Sequence, residues 1–311
     1  MRRARSLALS FALLCAAVRL PAQGTQTSTW LAAADAALAG GNLYWADSVY
    51  YGLVRARPRD PLAREALGKY LGMRGAWIPG AVLLEEARTF GGDATRIARE
   101  LVPLYQSAGN WRALLTLPAS ALSQAERKRA AFYLDHPPAI RSDTTASTMV
   151  GPVQGDTLGR VAVRFGRTAV MAAIVARNEG IRIGRRALNG VVRVFGDSSV
   201  LSIDSMSVGA ARLSNAPATL GDAGGIVTIG ISALESVPVT FDFAAGKLQF
   251  DQSRAILAPI QLKLLRRDDL VLVLDQDHGY WVPLAEYAAL VAKAKGSLTV
   301  DLRAGVARVQ R

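Results

Sequence analysis

Apolar residues return every three or four positions from Ala32 to Leu117, the period that gathers them on one face of a helix. Gly40-Gly41, Pro58 with Pro61, Gly75, Gly91-Gly92 and Gly109 break that pattern at short intervals. The stretch therefore reads as several helices of about a dozen residues each. Another short helix is predicted to start at Ser120, Ser123 and Gln124 and to run to about Leu134, stopped by His136-Pro137-Pro138, since proline lacks an amide hydrogen and restricts its predecessor. Residues 137–150 show no period and carry Pro, Ser, Thr and Asp, the marks of a linker whose flexible part is 141–145.

From Leu158 the period changes to two, with Val161, Val163 and Phe165 alternating with Ala162 and Arg164, as a half-buried strand requires. Further strands are predicted at 168–176, 191–195, 199–203, 206–208, 211–213, 237–243 and 247–250. Beyond them come strands at 260–265, 270–274 and 280–282, then a helix over 284–293. Short strands with Gly, Asn and Asp turns favour an antiparallel or barrel-like β domain over alternating β and α units. The expected organisation is α+β and multidomain: helices over 23–136, a linker over 137–152, a β domain over 153–250 and a β-rich extension over 251–311.

The segment 1–22 changes the compartment. Arg2, Arg3 and Arg5 precede an apolar run over 6–18, and Pro21-Ala22-Gln23-Gly24 supplies a small residue and a turn, the pattern of a signal peptide cleaved after Ala22, with a retained anchor the alternative. Arg19 makes the run too short for a membrane-spanning helix. Cleavage removes four arginines and no acid, taking the formal charge from +12 to +8, and removes Cys15, the one cysteine. An exported, periplasmic or envelope-associated chain is expected, without disulfides or thiolate metal sites. The basic clusters are short, as in Arg185-Arg186 and Arg266-Arg267. They do not form the concentrated face of a nucleic-acid binder.

Gly41, Gly75 and Gly109 are evenly spaced, and Leu43, Trp77 and Trp111 follow each glycine by two. A helix–turn–helix unit with this period, about 34 residues, resembles the tetratricopeptide repeat. The resemblance covers residues 29–117, and Gly80 departs from it where the repeat prefers alanine. It implies stacked helix pairs whose concave face holds peptides or proteins. Trp45, Tyr51 and Trp77 are the candidate contacts, although aromatics at helical spacing more commonly belong to a core.

The order of β segments resembles one lobe of a retropepsin-like aspartic protease. Gly159 to Arg167 looks like its opening hairpin, and Val208 to Pro217 like its second glycine hairpin. Gly224 to Leu234 is similar to its apolar–apolar–Gly run entering a short helix, and Thr240 to Leu248 to its closing strand–turn–strand. That family places an Asp-Thr/Ser-Gly tripeptide in the loop after its second strand, and two such aspartates share a proton around a water. Here the matching stretch is Met171-Ala172-Ala173-Ile174-Val175-Ala176-Arg177-Asn178-Glu179-Gly180, without aspartate. Glu179 falls late, Asp156-Thr157-Leu158-Gly159 precedes the first strand, and Asp197-Ser198-Ser199 and Asp242 fall at turns, so no catalytic residue is assigned.

Asp275, Asp277 and His278 are the densest polar cluster, but with two histidines in the chain they make neither a calcium loop nor a zinc set. A solvated hairpin turn is expected there, and no metal or cofactor. Residues 298–305 echo 239–246: either a degenerate second lobe or one strand–turn–strand solution used twice. The expected function is an exported scaffold that binds a peptide or protein partner with an inactive protease-like domain, dimerising through that lobe if at all. The alternative is an aspartic endopeptidase whose carboxylates are unusually placed or come from a partner.

Overall fold

The computed structural model describes residues 20–142, 147–176, 180–184, 192–195, 197–221, 226–250, 260–265, 270–275 and 278–310. Helices come first: α1 (Leu20–Ala39), α2 (Leu43–Ala56), α3 (Pro61–Met73), α4 (Trp77–Thr89), α5 (Ala94–Ser107), α6 (Trp111–Thr116) and α7 (Gln124–Asp135). Helix α1 already includes Pro21 to Gly24, where a turn was expected; proline is tolerated in a first helical turn because its missing amide hydrogen has no partner there. The rest of the expected leader, 1–19, lies outside the described residues.

Side chains start most of these helices. Asn42 accepts from Trp45 N, Asn110 from Ala113 N, and Asp60 and Asp93 each from two amides, while Ser123 and Glu126 form a reciprocal capping box. Between helices, Gly41, Gly75 and Gly109 adopt φ of +80°, +79° and +66°, left-handed backbone that glycine enters without strain. Gly80 has a packing reason for departing from alanine. A Cβ on it would stand 2.7 Å from Gly68 O, and one on Gly68 would stand 2.9 Å from Gly80 O, so α3 and α4 cross closely at two glycines.

Polar links tie successive helices. Arg96 grips the buried Glu65 with two hydrogen bonds of 2.9 and 2.8 Å, joining α5 to α3. Tyr50, stacked on Tyr70 at 4.7 Å, donates to Asp35. Tyr70 donates to Asp47, which Arg74 holds at 3.1 Å. Burial, then the Asp35 and Asp47 carboxylates, push both phenols well above the ordinary tyrosine range.

The stretch read as a linker is built into both sheets. β1 (Ala139–Ser142) pairs with β8 (Ala211–Leu220), and β2 (Ser147–Met149) with β11 (Lys247–Phe250). The other strands of the first sheet are β3 (Thr157–Phe165), β4 (Thr168–Val175), β5 (Ile181–Ile183), β6 (Val192–Phe195), β7 (Asp197–Val208) and β9 (Val227–Gly230). The segments expected at 199–203 and 206–208 form one strand, β7, and β8 extends well past the expected Leu213. Together they make the long antiparallel hairpin that frames the barrel.

Pairings β8–β5, β5–β9, β9–β4, β4–β3, β3–β7 and β7–β8 close a ring. Its halves are related by a local two-fold: hairpin β3–β4 then β5 matches hairpin β7–β8 then β9. The two-fold shows in the parallel contacts, β4 with β9 and β5 with β8. Strand β9 runs straight into a 3-10 turn, Ile231–Leu234, as the apolar–apolar–Gly run anticipated.

The second sheet adds β10 (Val239–Asp242), β12 (Ile260–Leu265), β13 (Leu270–Asp275), β14 (His278–Pro283), β15 (Ser297–Asp301) and β16 (Val306–Gln310), with helix α8 (Leu284–Lys293) after β14. Here the echoing segments meet. Strands β10 and β15 pair antiparallel, Thr240 opposite Thr299 with hydroxyls 2.9 Å apart. Around them the contacts repeat: Val150 N donates to Gly246 O and Leu264 N to Gly305 O, and Asp242 and Asp301 each accept from the amide three residues on at 2.9 Å. One apolar core, from Val150 to Val309, underlies both sheets. The expected boundary at residue 250 therefore does not divide the β half into separate cores.

Candidate functional site

The glycine period of the helical half has a spatial meaning: its first two turns lie against the β half. At the first turn, a Cβ on Gly41 would fall closer than 3.0 Å to the Gly279 backbone, and beside it Trp281 Nε1 donates to Leu38 O at 2.7 Å. The second turn interlocks likewise, Gly75 against Leu302 O and Gly305 against Arg74 O. The third turn leaves the β surface. Gly109 is exposed and nothing lies within 4 Å of where its Cβ would be. A cleft of about 590 Å³ opens between the halves at that point.

The helical wall of this cleft is aromatic. Trp77 and Trp111, the residues two places after the second and third periodic glycines, both line it with Tyr133 of α7. Tyr133 is fully buried, 5.0 Å from the Trp111 ring. Burial pushes its phenol up, and Ser202 and Arg129 pull it partly back.

The β wall begins at Gly180, the last residue of the stretch that the protease resemblance singles out. Gly180 and Ile181, which follow the loop after β4, line the cleft with Ser232, Glu235 and Ser236 from the 3-10 turn and its exit. Gly180 is fixed to β9: its carbonyl accepts from Gly230 N at 2.6 Å and its amide donates to Ser232 Oγ at 3.3 Å. Ser214, Ala216 and Pro217 of β8 and Pro137 to Ile140 complete the wall. Among the described residues lining the cleft, Glu235 is the sole carboxylate; an aspartic dyad takes two facing acids.

Ala172 and Ile174 on β4 are buried in the barrel core; Arg177, Asn178 and Glu179 lie outside the described residues. The two-fold counterpart of their loop, between β8 and β9, contains Asp222-Ala223-Gly224. That is an acidic tripeptide the linear reading passed over, because only the barrel symmetry relates the two loops; residues 222–225 also lie outside the description. Thr157 closes the turn beside Asp156, its hydroxyl donating to Gln154 O at 2.8 Å. Asp242 caps its own turn. Asp275 pairs with His278 across the β13–β14 hairpin, as expected of a turn, while Asp277 and the side chains of Asp197, Asp275 and His278 lie outside the description. No group of three metal-ligating side chains occurs among the described residues.

The three aromatic candidates are not brought together. Trp77 lines the cleft, whereas Trp45 packs with Trp30 at 6.5 Å and Tyr51 is 46% exposed, and neither lines it. Sequence reasoning missed Trp111, Tyr133 and Arg129 as cleft residues. For Trp111 the signal was present, since it repeats Trp77 at the glycine period. Among the described residues no helix is long and apolar enough to cross a membrane. No protein-family profile, characterised protein or solved structure matches this chain.

Proposed function

We propose that the chain is an exported peptide- or protein-binding scaffold. In this reading its helices form a tetratricopeptide-like stack, its barrel is a retropepsin-like lobe without the aspartate dyad, and residues 251–311 are the remnant of a second lobe. The observation that carries the reading is the cleft. Trp77 and Trp111, placed by the helical period, line the same cleft as Gly180 and Ile181 of the barrel, and among the described residues its walls supply one acid, not two. The repeated contacts about β10 and β15 support the two-lobe ancestry. Aliphatic side chains cannot activate water, but a groove shaped for an extended chain retains backbone and pocket contacts.

The test is direct. Labelled decapeptide pools are titrated against the full chain by fluorescence anisotropy, and the bound peptides are then sequenced by mass spectrometry after incubation at pH 4 and pH 7. Saturable binding with intact peptide ends is expected. New peptide ends whose formation a transition-state mimic of aspartic proteases suppresses would establish the peptidase alternative, with Asp222 and Glu179 the first carboxylates to replace. Export is tested by amino-terminal sequencing of the protein recovered from the envelope fraction, which should begin at Gln23.

A further inference from the structure

We propose that the peptide taken by this cleft is acidic, held by Arg129 and Arg303 on opposite walls; the inference rests on the cleft being a peptide site. Where arginines meet carboxylates in this fold they do so away from the cleft: Arg64 meets Glu86, Arg74 meets Asp47, Arg96 meets Glu65 and Arg308 meets Asp301. Arg129 and Arg303 both line the cleft, yet neither has an ion-pair or hydrogen-bond partner among the described residues. Glu235, the carboxylate of these walls, already has an interaction of its own.

A carboxylate entering the cleft accepts from the guanidinium groups, and charge-assisted hydrogen bonds of this kind are the strong ones. The apolar side chains of the same peptide then meet the parts of Trp77 and Trp111 that line the cleft. The formal positive charge of the chain favours approach of an acidic segment from a distance.

The experiment uses three labelled decapeptide pools with the same apolar positions, the remainder being Asp/Glu, Ser/Gln or Lys/Arg. Each is titrated against the full chain, against Arg129→Gln, Arg303→Gln and the double variant, and against Arg167→Gln as an exposed control on the β3–β4 turn. Arg303 is exposed and Arg129 half-buried, so the variants should fold, which circular dichroism checks. The acidic pool should bind at least about tenfold more tightly than the neutral one, and each cleft substitution should weaken it on the order of tenfold, with Arg167→Gln unchanged. Equal binding of the acidic and neutral pools, unaffected in the double variant, would overturn the acidic specificity while leaving a peptide cleft standing. Binding of no pool would remove both. Succinate competing as strongly as the acidic pool itself would overturn the peptide and leave a small-carboxylate site.

Discussion

Replacing Gly75 by alanine puts a methyl group where the α3–α4 turn interlocks with the β15–β16 turn. Two costs add. At φ +79° a side chain is strained by about 1–2 kcal/mol. The new Cβ also lies closer than 3.0 Å to the carbonyl oxygen of Leu302, which is backbone and cannot swing aside. Relief requires the halves to separate locally, an overpacking cost of about 1–3 kcal/mol. Gly109→Ala is the internal control, because Gly109 has φ +66° with open space around it and bears the first cost alone. Urea unfolding followed by far-ultraviolet circular dichroism should therefore show Gly75→Ala less stable than Gly109→Ala by about 1–3 kcal/mol. Gly305→Ala, which meets Arg74 O from the other side, should behave like Gly75→Ala. Equal losses at Gly75 and Gly109 would refute the docking of the periodic turns on the β half.

Other consequences are more local. Glu65→Gln leaves Arg96 without its charged partner. Because Arg96 is half exposed, the loss in urea unfolding should be about 1–2 kcal/mol rather than the larger figure for a fully buried pair. Burial and then the Glu85 carboxylate raise the Tyr105 phenol from 10.0 to about 12. Its neutral form is therefore favoured in the folded chain, so this stability is whole below pH 10 and is lost as pH rises from 10 towards 12. In Tyr105→Phe the fall of stability with pH across that window should be shallower by at most about one proton, read from urea midpoints at successive pH values. On the reading that β15 of the same chain stands beside β10 in place of a partner lobe, sedimentation velocity at micromolar concentration should give a monomer; a dimer would count against that reading.

Much of this architecture was legible in local chemistry. The evenly spaced glycines mark the turns because only glycine enters left-handed backbone without cost, and the run Val227 to Gly230 announces the strand and turn that follow. Strands β1 and β2 were hidden because they are very short and half-exposed, leaving no apolar alternation to read. Their pairing partners lie far away along the chain, a distance at which the linear pattern has no register to offer. The likeness of 298–305 to 239–246 was visible, but that the two segments pair with each other is a property of the sheet alone. The cleft was least legible. Trp77 and Trp111 could be found by period, whereas Arg129, Arg303 and Ser236 come from three elements that only the docking of the two halves brings to one space.

The claim on which the rest depends is that an uncleaved peptide occupies the space beside the third helical turn. A photo-reactive residue placed at Ala108, which lines that space, should cross-link the acidic decapeptide pool, and mass spectrometry should find the attached peptides whole. The same residue placed at Tyr51, exposed on α2, should give no adduct. Adducts at position 51 and not at 108, or attached fragments with newly made ends at position 108, would contradict the account.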